Sequence, residues 1–147
     1  TCATCHMSAT KSLPVTHDVG LRVARAHRPV ISKKLKNADR KRKNMFSACG
    51  ACHGPDYVKA FFAQSDHILN AYNNKYAAPA EKIMVALRKE GKITPEPFDE
   101  KIEWTFFGLW HGEGRDPQKV AQNFKFDFLG EAERLSPGIA KRIVKGP

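Results

Sequence analysis

All four cysteines of this chain fall in two copies of one short pattern. Residues 2–6 read Cys2-Ala3-Thr4-Cys5-His6, and residues 49–53 read Cys49-Gly50-Ala51-Cys52-His53. Cys-x-x-Cys-His is the attachment pattern of c-type haem. The spacing serves the chemistry. Two thiols one helical turn apart can each form a thioether to a vinyl group of the same porphyrin, and the histidine that follows then lies under the iron. Cys2, Cys5, Cys49 and Cys52 are therefore read as covalent attachment points for two haem c groups, with His6 and His53 as the proximal iron ligands. Other uses of paired cysteines explain less. A zinc site built from four cysteines also takes two Cys-x-x-Cys pairs, but gives no reason for a histidine directly after each. A thioredoxin-like pair calls for one such motif beside a βαβ pattern, which the sequence lacks. Two disulfides would strain the short loops and leave both histidines unexplained.

A low-spin electron-transfer haem takes a second strong axial ligand, His or Met. Four further histidines and three methionines are available. His17, in the loop Thr16-His17-Asp18-Val19-Gly20 between the motifs, is one distal candidate. His111, closing the aromatic run that ends Trp110-His111, is the other, and it could serve a haem held by another chain. His27, before Arg28-Pro29, reads equally as a surface or supporting residue, and His67 reads as solvent-exposed. Met7 is too close to His6 to reach round the same porphyrin, while Met45 and Met84 read as core.

The elements that must hold these groups read as helical. Residues 38–51 carry few breakers and lead into the second motif. From Asp56 to Tyr76, Val58, Phe61, Phe62, Leu69, Tyr72 and Tyr76 recur at three- and four-residue steps, which predicts one apolar face of a helix. Pro79 opens the next helix and Gly91 stops it, with Met84 and Leu87 on its buried face. Residues 94–97 form a proline-broken connector. Phe98 to Trp110 is strongly aromatic and places Ile102, Phe106, Leu109 and Trp110 on helical spacing, with Gly112 and Gly114 ending it. Asp116-Pro117 reads as a cap and first helical residue, followed by Val120, Phe124, Phe128 and Leu135. Ser136-Pro137 restarts a last short turn. Residues 15–29 have no clean period, and no strand is convincing. The expected fold class is mainly α: a multihaem cytochrome c with irregular haem-binding loops, then a bundle of three to four long helices. Residues 1–55 form the two-haem segment and 56–147 the helical segment, packed as one domain.

Composition bounds the rest. The 147 residues suffice for one ordinary domain, and 41% hydrophobic content excludes a disordered chain. No run is long enough to span a bilayer as a helix. Thr1 opens directly onto the first motif, without a signal-peptide-like stretch or an initiator Met, which reads as a processed product or a fragment. Basic residues number 25 against 15 acidic. Haem propionates would take up part of that excess. Lys33, Lys34, Lys36, Arg40, Lys41, Arg42 and Lys43 concentrate it, as a solvated face or as a contact for propionates, an acidic subunit or a redox partner protein. Haem c is attached outside the cytoplasm in bacteria, so a periplasmic or extracellular place is expected, and nucleic acid is not an expected partner; no aromatic residues interleave the basic run.

Several runs, taken in order, resemble the late haem region of hydroxylamine oxidoreductase-like octahaem cytochromes. They are Cys2-Ala3-Thr4-Cys5-His6-Met7, Thr16-His17-Asp18-Val19-Gly20, Arg28-Pro29, Lys41-Arg42-Lys43-Asn44-Met45, Tyr72-Asn73-Asn74-Lys75-Tyr76, Pro97-Phe98-Asp99-Glu100-Lys101-Ile102-Glu103-Trp104, and Trp110-His111 with Glu113-Gly114-Arg115. The resemblance covers about residues 1–115. It implies an eight-haem subunit with a modified catalytic haem, usually assembled as a trimer, of which this chain would carry the last two haem motifs and the C-terminal helices. Gly112 stands where the family usually has a second histidine, and the family's cross-linking tyrosine has no counterpart here. That puts hydroxylamine or hydrazine oxidation in doubt and leaves reduction or plain electron transfer open. Two functions are thus expected: an electron-transfer module relaying electrons through two covalent haems in contact with other haem-bearing chains, or part of an oxidoreductase acting on small nitrogen compounds whose catalytic haem lies elsewhere. A haem sensor with one open coordination site is a third. No catalytic residue is assigned within the chain.

Overall fold

A computed structural model of the chain describes residues 1–26, 30–111 and 117–144. It is mainly helical, with no strand among the described residues and a single antiparallel bridge between Arg25 and Lys34. His27, Arg28-Pro29, the run 112–116 and the last three residues lie outside the described residues. No described helix is long and apolar enough to cross a membrane. The chain divides into two compact units, Thr1–His27 with Ser32–Leu69, and Arg28–Ile31 with Asn70–Pro147.

The first unit begins with α1 (Cys2–His6), a five-residue helix. The Thr1 hydroxyl accepts from the Thr4 N–H at 3.3 Å, a reciprocal cap that fixes where so short a helix starts. A short 3₁₀ helix, Val19–Arg22, falls in the segment whose period is ambiguous. Its start is set by Asp18, whose carboxylate accepts from the Gly20 N–H at 2.9 Å; a Cβ on Gly20 would meet that same oxygen at 2.9 Å. Then α2 (Ala38–Cys49) runs into the second motif, as its lack of breakers predicts. Pro55 opens α3 (Pro55–Tyr72), where a missing N–H costs nothing.

The apolar face of α3 differs from its periodicity. Val58 is buried and Phe62 and Leu69 are partly so, but Phe61 is 55% exposed. Phe61 stands one position round from Phe62, and only one of two adjacent aromatics can face inward on a helix. The inward-facing one lies under a guanidinium: Arg42 sits 4.9 Å from the Phe62 ring centroid.

Among the described residues of this unit, Val58 is the one apolar side chain that is fully buried; the other buried residues are Arg22 and Ser32. The second unit is the opposite case. Ile83, Met84, Leu87, Ile102, Leu109, Phe128, Ala132 and Ile139 are all at or below 1% exposure and form one cluster. They come from α4 (Ala78–Lys89), α5 (Lys101–His111), a π-helical turn Asn123–Phe128, α7 (Leu129–Leu135) and α8 (Ile139–Val144), with α6 (Pro117–Gln122) leading in. Another π-helical turn, Asn73–Ala77, precedes α4 without a break. There the Ala78 N–H reaches back five residues to Asn73, a wider turn that seats Pro79, which has no N–H to give. Gly91 ends α4 with φ +65°, the left-handed stop that glycine permits. The Glu133 carboxylate accepts from the N–H groups of Gly138 and Ala140, capping α8 and holding its own pKa below the usual range.

Candidate functional site

The first motif lies wholly on α1. Cys2 and Cys5 are one turn apart and exposed, and His6 follows, partly covered. Cys2 and His6 line a cavity of about 260 Å³, whose other walls are Ala3, Met7, Val19 and Val23. The His6 Nδ1 atom is buried and has no hydrogen-bond partner. An apolar wall, a thiol and an unengaged imidazole are what one edge of a covalently held porphyrin requires. At this volume, just under the roughly 300–1,000 Å³ of ordinary ligand pockets, the cavity would enclose part of a macrocycle and leave the rest outside. The residues present fit the group.

Behind the motif stands Arg22, 3% exposed. Its Nη1 donates to the Cys5 carbonyl at 2.7 Å and its Nη2 donates to the Ser8 carbonyl. The Cys5 carbonyl is one of those left over at the C-terminal end of α1, and Ser8 lies in the turn just past it. The 3₁₀ helix thus does two things: Val19 and Val23 wall the cavity, while Arg22 between them grips α1. Sequence reasoning does not single out Arg22. The signal that could have done so is the i, i+4 pair Val19 and Val23 after an Asp cap, with a lone arginine inside.

The second motif closes the end of α2. The N–H groups of Cys52 and His53 both donate to the Cys49 carbonyl, at 3.1 and 3.0 Å, so the helical turn continues through the motif. His53 is exposed and stacks on Tyr57, with centroids 4.8 Å apart and 22° between planes. Tyr57 and Phe61 are exposed one turn apart on α3 and extend an apolar strip from that histidine. The structure sets the two motifs side by side: α1 packs on α2, and burial together with the nearby Cys5 thiol pushes the Cys49 thiol pKa up.

The thiols are all free. Among the described residues, the only three His, Cys, Asp or Glu side chains whose ligand atoms lie within 4.8 Å of one another are Asp99, Glu100 and Glu103. The cysteines and histidines of the motifs are therefore not gathered about one point, as a zinc site of four cysteines requires.

The distal candidates lie in different units. His17 is exposed, in the loop that leads into the Val19 wall; the Thr16 N–H donates to the Met7 carbonyl at 3.0 Å, tying that loop to the residue after His6. His17 does not itself line the cavity. His111, at the end of α5, is exposed with its ring stacked on Phe107 at 4.4 Å and edge-on to Trp110 at 5.5 Å. His67 is exposed, and Met84 is core, as expected.

A carboxylate ties together the two helices that flank the second motif. Asp66 on α3 pairs with Arg42 of α2 and with Arg25 at 3.2 Å. The hydrogen bond from Arg42, with Arg25 assisting, holds the Asp66 carboxyl down at about 2. Arg42 thereby leaves the basic run, whereas Lys33, Lys34, Lys36, Arg40 and Lys43 are exposed.

The chain matches no family model, no curated protein and no solved structure.

Proposed function

We propose that this chain is a two-haem c-type cytochrome module that relays electrons within a larger multihaem assembly. One observation carries the reading: the unit that holds both Cys-x-x-Cys-His motifs buries a single apolar side chain, Val58, among its described residues. Small units without an apolar core of their own need staples, metals or cofactors to hold them. Its four thiols are free, so no disulfide does this work. Two porphyrins, each joined through a pair of cysteines, would supply the missing apolar mass.

Cys2 and Cys5 would fix one macrocycle and Cys49 and Cys52 the other, with His6 and His53 as the iron-holding imidazoles that follow them and His17 and His111 as candidates for further iron ligands, His111 for a haem of another chain. Bound haem supplies one-electron chemistry at iron. The chain supplies attachment, a partly apolar enclosure at the first motif, and an aromatic strip from Tyr57 to Phe61 beside the second. Attachment of this kind places the protein in the periplasm or outside the cell. The ordered resemblance to hydroxylamine oxidoreductase-like cytochromes supports membership of a larger haem-bearing assembly, with other haem-bearing chains or subunits and a redox protein as partners.

The test is intact mass with haem staining after denaturing electrophoresis. The expected mass is the polypeptide plus two haems. The bare polypeptide mass would sink the proposal. On the loaded chain, rapid reduction without turnover of hydroxylamine or nitrite supports the relay; catalytic turnover at about 1 s⁻¹ or faster, within the usual range of enzymes, would instead make the chain an enzyme in its own right.

A further inference from the structure

Arg22 is a buried charge without a counter-charge among the described residues. It is 3% exposed, and no carboxylate among the described residues forms an ion pair with it. The nearest acid in sequence, Asp18, spends its carboxylate on the Gly20 N–H. Arg22 donates only to two neutral carbonyls, and its Nε atom is buried with no partner. Burying a guanidinium in this way is unfavourable unless something offsets it, and carbonyl dipoles do so only in part. An arginine kept on these terms, rather than replaced by an apolar residue of like size, has a task that needs its charge.

Its position says what the task is. The Cys5 carbonyl belongs to the peptide bond that joins Cys5 to His6. Holding it at 2.7 Å fixes the link between an attachment thiol and the iron-binding imidazole. The second motif has no such arginine: the equivalent carbonyl, that of Cys52, accepts from no arginine among the described residues. A fixed positive charge in a low-dielectric setting favours whichever redox state of a neighbouring group carries less positive charge. For an iron centre that is the reduced state.

We propose that Arg22 is a positioning residue for His6 and, through its uncompensated charge, makes the haem at Cys2–His6 the higher-potential member of the pair. Electrons within the module then rest on the first haem, and the second is the donor to it. This rests on the two-haem reading.

The experiment is a spectroscopic redox titration of the haem-loaded chain and of two variants, with haem content checked by mass. Wild type should titrate in two resolved steps. In Arg22→Gln, which keeps a donor for the carbonyls but removes the charge, the upper step should move down while the lower one stays. A tenfold change in the reduced-to-oxidised ratio corresponds to about 59 mV for one electron. Arg22→Lys, which keeps the charge, should restore most of the shift. An upper step unmoved in Arg22→Gln, or movement of the lower step alone, overturns the inference and leaves the two-haem reading standing. Should Arg22→Gln load only one haem, Arg22→Lys decides: two haems with the wild-type upper step support a role for the charge, and loss of the same haem shows a mere clamp. A wild-type chain with the bare polypeptide mass overturns both readings.

Discussion

Replacing Asp66 by Asn should loosen the tie between α2 and α3, and the size of the effect follows from its surroundings. The carboxylate sits between Arg42 and Arg25 and titrates at about 2 instead of 3.8. At about 1.36 kcal/mol per pKa unit, that shift sets a ceiling of about 2.5 kcal/mol on what the ionised form adds to folding. The Asp66 and Arg42 side chains are 30% and 29% exposed, so solvent screens the pair. About 1 kcal/mol is the figure to expect at neutral pH. Because the folded pKa is depressed, this stability is fully present above the unfolded value of 3.8 and disappears as pH falls through about 2. Below that, wild type carries a neutral carboxyl and resembles the Asn variant. Urea unfolding followed by circular dichroism, at pH 7 and again near pH 2, should show a gap that closes. Equal stability at pH 7, or the same gap at both pH values, would refute the reasoning.

Two further outcomes follow. In the two-haem reading, His17→Ala should leave one iron short of a ligand, visible as a low-spin to high-spin change and as binding of small ligands; a fully low-spin spectrum moves the assignment to His111. Leu87→Ala, at a position with 0% exposure inside the cluster of the second unit, should cost about 2–5 kcal/mol in denaturant unfolding without changing haem content; a loss of haem on this substitution would contradict a core confined to that unit.

The sequence makes the helices easy to find and their faces harder. Pro79 and Gly91 bracket α4 because each acts through its own backbone: one lacks an N–H and the other adopts φ +65°. Phe61 is misplaced by periodicity because a run of two aromatics fits several helical phases, and only the position of Arg42 over Phe62 chooses between them. Phe98 reads as the start of the aromatic helix, yet it lies before α5 with φ +63°, its ring tilted against Trp104 at 4.7 Å. An aromatic residue in that conformation is uncommon, and its partner six residues on is invisible to periodicity. The two π-helical turns likewise leave no signal, since apolar spacing looks the same across them. At the motifs, residue identity and spacing are enough to name the thiols and histidines. The wall of Val19 and Val23 and the grip of Arg22 depend on where a loop returns, which no local pattern encodes.

The contrast in apolar burial between the two units also sets an order of assembly. The second unit can collapse around Ile83, Leu87 and Phe128 with no outside help. The first has little to collapse onto, so in the two-haem reading its thiols stay open until something joins vinyl groups to them. A tightly packed apo form would shield those sulfurs from the machinery that must reach them. In that reading, weak packing there would keep a maturation window open that each attachment closes, and a chain that missed its cofactor would keep one half loose and open to proteases.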